Sequence, residues 1–137
     1  MKQLFETSAT TTGGRNGHVK SSDGVIEFDL KMPIQMGGEG GKYTNPEQLF
    51  AAGYSACFDS ALQMVAGAEK IAIESATTAN IGLAMQNPSS YGLTAVIDVE
   101  VKGVEKDKAQ ELLEKAHAVC PYSVALKGNV DVKINLK

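Results

Sequence analysis

The sequence predicts an α+β domain, and three observations carry that expectation. Strand-like segments occur near both ends of the chain. A long apolar stretch, Leu49 to Ala68, lies between them behind a strong helix-start signal. A second helical segment, shorter and amphipathic, precedes the last strand. At 137 residues, with 43% hydrophobic and 21% charged residues, the chain is long enough to bury one core without disulfides or metal. A single domain spanning 1–137 is expected.

The elements follow in order. "QLFETSAT" and "GVIEFDLKM" show partial period-2 patterning, while "TTGGRNG" and "SSDG" are turn chemistry. A glycine-rich loop, "MGGEGGKYT", comes next. "TNPEQ" then opens a helix, with Asn45 as N-cap, Pro46 at the first helical position and Gln48 three residues after the cap. This helix should run from about Pro46 to Ala66 and end near Gly67, a length of about 30 Å at 1.5 Å per residue. It is apolar nearly all round, so other elements or a partner subunit should wrap it.

Two strands follow, "SATTANIGLAMQ" and "LTAVIDVEV", joined by the turn "NPSSYG". The second alternates through Leu93, Ala95, Ile97, Val99 and Val101. A helix over Lys106–Val119 places Ala109, Leu112, Leu113 and Ala116 on one stripe. Cys120-Pro121 ends it, because the residue before proline is pushed out of helical geometry. Alternating Val130, Val132, Ile134 and Leu136 make a last strand. The expected order is β-β-α-β-β-α-β with antiparallel connections.

Composition excludes several functions. A net charge of −3 gives no sign of a nucleic-acid or anionic-membrane partner. The Leu49–Ala68 run contains Asp59, and a central Asp alone costs about 2.5–3.5 kcal/mol on membrane-insertion scales, so no membrane span is expected. "MKQLFETSAT" lacks the apolar core of a secretory signal, so the chain is expected in a reducing cytoplasm. "GGEGGKYT" is not a phosphate loop: the spacing would need glycine where Met36 stands and Ser or Thr where Tyr43 stands.

In the cytosol, a lone pair of cysteines is catalytic, redox-sensing or simply two unrelated buried thiols. Cys57 and Cys120 are too far apart for a CxxC motif, and with His18 and His117 they do not make zinc-ligand spacing, so no metal site is expected. Cys120 lies where Pro121 can open a short turn, and a thiol near a helix N-terminus gains thiolate character; Cys57, in mid-helix, has no such help. Apolar burial raises a thiol pKa, so a cation must offset it, by about 2.7 kcal/mol for two pKa units. Arg15, the single arginine, sits between glycines in "TGGRNG" and is a candidate for that role as well as a solvated loop charge. Glu47 complements the dipole at its helix start and can also accept a bidentate bond from Arg15.

"TNPEQLFAAGYSACFDSAL", "AHAVCPYSVALKGNVDV" and "TGGRNG" together resemble the organic hydroperoxide resistance (Ohr) proteins of the OsmC family, end to end. The resemblance implies an OsmC-like fold with antiparallel sheets around a long buried central helix, in an intertwined homodimer with active sites at the subunit interface. It implies reduction of organic (lipid or aromatic) hydroperoxides to alcohols, with no bound cofactor and with electrons returned by dihydrolipoyl groups of a lipoylated protein. By motif, Cys57 is the peroxidatic thiol, Cys120 the resolving one, and Arg15 and Glu47 the activating pair. Asn16 and His18 stand where the family often has an acidic and a basic residue, and "VALKG" replaces a more polar stretch.

On that reading the Cys57 thiolate attacks the hydroperoxide and Cys120 condenses with the resulting sulfenic acid. Phe50, Tyr54, Ala61 and Met64, one or two turns from Cys57, would line a pocket for the organic chain, beside their ordinary role in core packing. Glu47 and Cys57, ten residues apart, are separated by about 15 Å along a regular helix and by about 80° around it. One glutamate cannot bridge that, so an Arg15–Glu47 pair serving Cys57 would come from the other subunit. Two other readings stand beside this one: a more general OsmC-type peroxidase, and a non-enzymatic thiol sensor or ligand-binding module.

Overall fold

The computed structural model describes residues 1–137, which fall into two compact units, Met1–Leu49 and Phe50–Lys137. The first unit is a three-stranded antiparallel sheet in the order β1 (Ala9–Thr12), β2 (His18–Ser21), β3 (Glu27–Asp29). The first strand therefore starts six residues into the segment "QLFETSAT", and the sequence reading missed β2 altogether. Its four residues sit between two turns, and only Val19 and Ser21 are buried, too short a pattern to register. The turn between β1 and β2 closes through a 3-10 turn over Gly14–Asn16. Gly13 and Gly14 take left-handed φ of 76° and 58°, and a Cβ on Gly17 would overlap the Thr12 carbonyl. The "SSDG" turn is held by side chains: Ser21 Oγ donates to Asp23 at 2.5 Å and accepts the Ile26 N–H at 3.0 Å.

Helix α1 (Pro46–Ala68) starts as its signal predicts, with Asn45 Oδ1 accepting the Gln48 N–H at 2.8 Å. Gln48 does not complete a capping box, because its side chain accepts from Thr44 Oγ1 at 2.7 Å instead. The helix ends beside Gly67, as expected. It runs to Ala68 and closes with the Ile71 N–H on the Ala66 carbonyl (3.0 Å) and the Lys70 N–H on the Gly67 carbonyl (3.0 Å). That is the Schellman arrangement, and its left-handed position is held by Lys70 at φ 58°, a residue with no propensity signal for it.

In the second unit α1 is followed by a long hairpin, β4 (Glu74–Asn87) and β5 (Ser90–Lys102), turning over Pro88-Ser89. Then come α2 (Lys106–Val119), α3 (Pro121–Leu126) and β6 (Val132–Leu136), with α2 as the sequence delimits it and α3 an addition to the expected order. The sheet order is β4-β5-β6, and β6 pairs with β5 in parallel. This corrects the all-antiparallel expectation: the chain leaves β5, crosses over through α2 and α3 and returns in the same direction, the connection a parallel pair requires.

The core joins Tyr54, Phe58, Leu62 and Ala66 of α1 to Ala95, Ile97 and Val99 of β5 and to Leu112, Leu113 and Ala116 of α2. The buried positions of α1 lie on one stripe. Ala52, Ala56, Ser60 and Met64 on its other side are exposed in the single chain. No helix is long and apolar enough to cross a membrane.

Replacing Lys70 with glycine removes a Cβ from a left-handed position. Lys70→Gly is expected to stabilise the protein by about 0.5 kcal/mol, net of the added freedom of the unfolded chain. The urea midpoint should rise; a fall would show that the Lys70 side chain makes a compensating contact.

Candidate active site

Two local rules bring the thiols together. Pro121 forces Cys120 out of α2 into extended geometry (φ −60°, ψ 120°) and occupies the first position of α3. Cys120 thus serves both helices: its N–H closes α2 on Ala116 O at 2.8 Å, and its carbonyl accepts the Val124 N–H of α3 at 2.9 Å. Its side chain is fully buried and its Sγ lies 3.5 Å from Sγ of half-buried Cys57 on α1; both cysteines are free thiols.

Helix α3 is seated on α1 by four further contacts. The Tyr122 ring stacks on Phe50 with centroids 5.6 Å apart and lies 5.8 Å from the Tyr54 ring. Under it is Gly53, where a Cβ would stand 3.0 Å from the Tyr122 hydroxyl. Tyr54 Oη and Ser123 Oγ, both buried, share a hydrogen bond of 2.8 Å.

The electrostatics reverse one sequence expectation. Burial pushes the Cys57 pKa up, and the neighbouring Cys120 adds to the rise. The opposing influence is a hydrogen bond from the backbone N–H of Tyr122, in the free first turn of α3. The N-terminus of α3 therefore aids Cys57, the thiol that the sequence left without such help. The reason is tertiary: Cys120 makes no side-chain cap to α3, and the free N–H of its first turn meets the sulfur across the helix–helix seam.

In the first unit, Arg15 and Glu47 form a two-pronged ion pair, Nη1 to Oε2 at 2.7 Å and Nη2 to Oε1 at 2.5 Å. The glycine turn aims Arg15, and the second position of α1 supplies Glu47. Arg15 holds the Glu47 carboxyl below its ordinary value, and Glu47 in turn raises Arg15, so the pair stays charged. The structure thus places Cys57 with Cys120, and Arg15 with Glu47.

The expected apolar pocket is redrawn. Tyr54 and Ala61 belong to the core, and Met64 is 59% exposed. What stands on the thiol seam instead is the aromatic cluster of Phe50, Tyr54 and Tyr122. Tyr122, Ser123 and Gly53 were missed in sequence; the signal was the run "CPYS", whose proline starts a helix and whose next residues face α1. A concavity of about 750 Å³ lies elsewhere among Glu114, His117, Val124, Lys127, Asp131 and Val132, and neither thiol lines it. His117 is on α2, with burial and Lys127 lowering its pKa. His18 is on β2, bonded to Asp29 at 2.8 Å, which raises it.

Paired helix-borne thiols in this α+β fold define a two-cysteine thiol protein. The family described as OsmC-like protein matches residues 38–135, and the chain belongs to the OsmC/Ohr family. It is 48% identical over 136 residues to the organic hydroperoxide resistance protein OhrB of Bacillus subtilis (strain 168), covering 98% of both chains. The crystal structure of an organic hydroperoxide resistance protein from Elizabethkingia anophelis superposes with a TM-score of 0.95 at 49% identity, covering 100% of this chain and 99% of that one. A putative organic hydroperoxide resistance protein of Vibrio cholerae, with captopril bound in one of its active sites, gives 0.94 at 41% identity over 99% and 94%.

Glu47 has a depressed pKa in the folded chain, so its pairing stabilises the fold above the unfolded carboxylate value of about 4.3 and is lost as pH falls through the lower folded value. Glu47→Gln should lower the urea midpoint at pH 7. The difference from the unsubstituted protein should close on acidification through that window; a difference independent of pH would show that the ion pair is not its source.

Proposed function

We propose that this chain is a cysteine peroxidase that reduces organic hydroperoxides to alcohols. The observation that carries the reading is the Cys57–Cys120 pair, 3.5 Å apart and beside an aromatic cluster. The naming of its relatives as organic hydroperoxide resistance proteins supports it.

The Cys57 thiolate attacks the distal oxygen of ROOH. The O–O bond breaks, ROH leaves after taking a proton, and Cys57 becomes a sulfenic acid. Cys120 then attacks that sulfur. The S–O bond breaks, the S–S bond forms, and the Cys120 proton leaves with the hydroxide as water. Phe50 and Tyr122, backed by buried Tyr54, favour a substrate with an organic group to bury, which hydrogen peroxide lacks. A dithiol of the dihydrolipoyl class, on a lipoylated protein of the cytoplasm, returns the two electrons by thiol–disulfide exchange. No bound cofactor is required.

The working unit is a homodimer. The exposed small-residue face of α1 is one surface for the second copy. Because Glu47 and Cys57 are ten helical residues apart, the Arg15–Glu47 pair of one copy serves Cys57 of the other. There the guanidinium stabilises the thiolate and the charge building on the leaving oxygen.

Steady-state assays with dihydrolipoamide test the activity. Cumene hydroperoxide should be consumed catalytically, faster than hydrogen peroxide and faster than with thioredoxin as donor. Cys57→Ser should abolish turnover, and Cys120→Ser should react once and over-oxidise. A single oxidation without turnover would mark a sensor, and equal rates on the two peroxides a general OsmC-type peroxidase. Sharing of sites is tested by mixing Cys57→Ser and Glu47→Ala chains. Activity should reappear in the mixed dimer, which holds one site with both residues intact; no recovery would place each site within one chain.

A further inference from the structure

We propose that the Tyr54–Ser123 hydrogen bond is a latch that sets the rate of the second chemical step, closure of the Cys57–Cys120 disulfide. Tyr54 and Ser123 are then positioning residues, and the proposal rests on the peroxidase reading above.

The geometry is that of two rungs between the same two elements. Tyr54 precedes Cys57 by three residues on α1, and Ser123 follows Cys120 by three residues on α3, so the hydroxyl pair lies one helical turn from the thiol pair on each side. The phenol and the serine are 0% and 2% exposed, and their hydroxyls meet at 2.8 Å across 69 positions of sequence. Ser123 differs in this from the serines of α1: Ser55 and Ser60 bond back to the carbonyls of Ala52 and Ala56 in their own helix. Burial raises the Tyr54 pKa, which keeps the phenol neutral and the bond intact over the whole working range of pH.

Helix α3 depends on such an anchor. It has six residues, well short of the length at which an isolated helix holds its own shape. Its first residue follows Cys120 directly, so any tilt of α3 on α1 moves the sulfur that must attack. The sulfurs start at 3.5 Å and must close to about 2.05 Å with the S–O bond in line.

Closure competes with a second oxidation. In closure the Cys120 sulfur is oxidised, the Cys57 sulfur is reduced from the sulfenic level, and water leaves. In the competing step another ROOH transfers oxygen to the sulfenic acid, giving sulfinic acid and ROH. A latch that holds α3 in attacking position favours the first outcome.

The test oxidises the unsubstituted protein, Tyr54→Phe, Ser123→Ala and the double variant with increasing cumene hydroperoxide, without reductant. Intact mass then gives the ratio of disulfide to sulfinic acid. That ratio compares two fates of one intermediate, so the speed of the first oxidation does not move it, and circular dichroism and the urea midpoint of each variant confirm that the folded fraction is the same in all four proteins. Each single variant should shift it about fivefold toward sulfinic acid, the weight of one hydrogen bond, and the double variant should be no worse than the worse single. An unchanged ratio in both singles, or a double variant with the product of the two effects, overturns the latch. Failure of the unsubstituted protein to form any disulfide would instead defeat the peroxidase reading itself, and the latch with it.

Discussion

The close seat of α3 on α1 is the contact on which the rest of the candidate site depends. Glycine inside a helix is worse than alanine by about 1 kcal/mol, yet Gly53 sits within α1 where a Cβ would stand 3.0 Å from the Tyr122 hydroxyl, a tight contact that glycine relieves. That approach sets the helix separation, and several features follow from it at once. Cys120 comes within 3.5 Å of Cys57, the Tyr122 amide meets the Cys57 sulfur, and Ser123 reaches Tyr54. A bulkier residue at position 53 would disturb all three together.

The surroundings of Cys57 work in two directions. Apolar burial suits an organic substrate and raises the thiol pKa, so within one chain the thiolate is disfavoured. The Tyr122 N–H offsets part of this. A hydrogen bond from a neutral amide is weaker than one from a cation, and in the proposed dimer that cation is Arg15. Its fork is already fixed by both Glu47 oxygens, which costs it freedom in advance and leaves less to lose on meeting a thiolate.

Much of this was legible in the chain. Asn45-Pro46 marked the start of α1, and the Ala109–Leu112–Leu113–Ala116 stripe marked α2, since capping and 3.6-residue periodicity are local rules. Pro121 correctly ended α2 at Cys120. The failures share a cause as well: β2 is too short and polar to show a period, Lys70 takes a left-handed position that tertiary closure imposes, and β6 lies parallel because of a crossover no local pattern encodes. That Cys57 also draws on a helix N-terminus was hidden, because sequence proximity pointed to Cys120 alone, whereas the Tyr122 amide points across the seam. Tyr54 carried two readings, pocket and core packing, because both place an aromatic residue one turn from a cysteine, and the structure puts it in the core.

The two sulfurs are 63 positions apart in the chain and become neighbours only when the crossover through α2 and α3 is complete. In the unfolded chain they are two dilute thiols with no special affinity for each other. Their effective concentration is a product of the finished fold, so a nascent chain that ends before Cys120 carries Cys57 with no second thiol at all. A bond across that span would also restrict the unfolded ensemble by about 4 kcal/mol on chain-entropy reasoning. Oxidation state and global stability would then be linked quantities, with the oxidised protein the harder one to unfold.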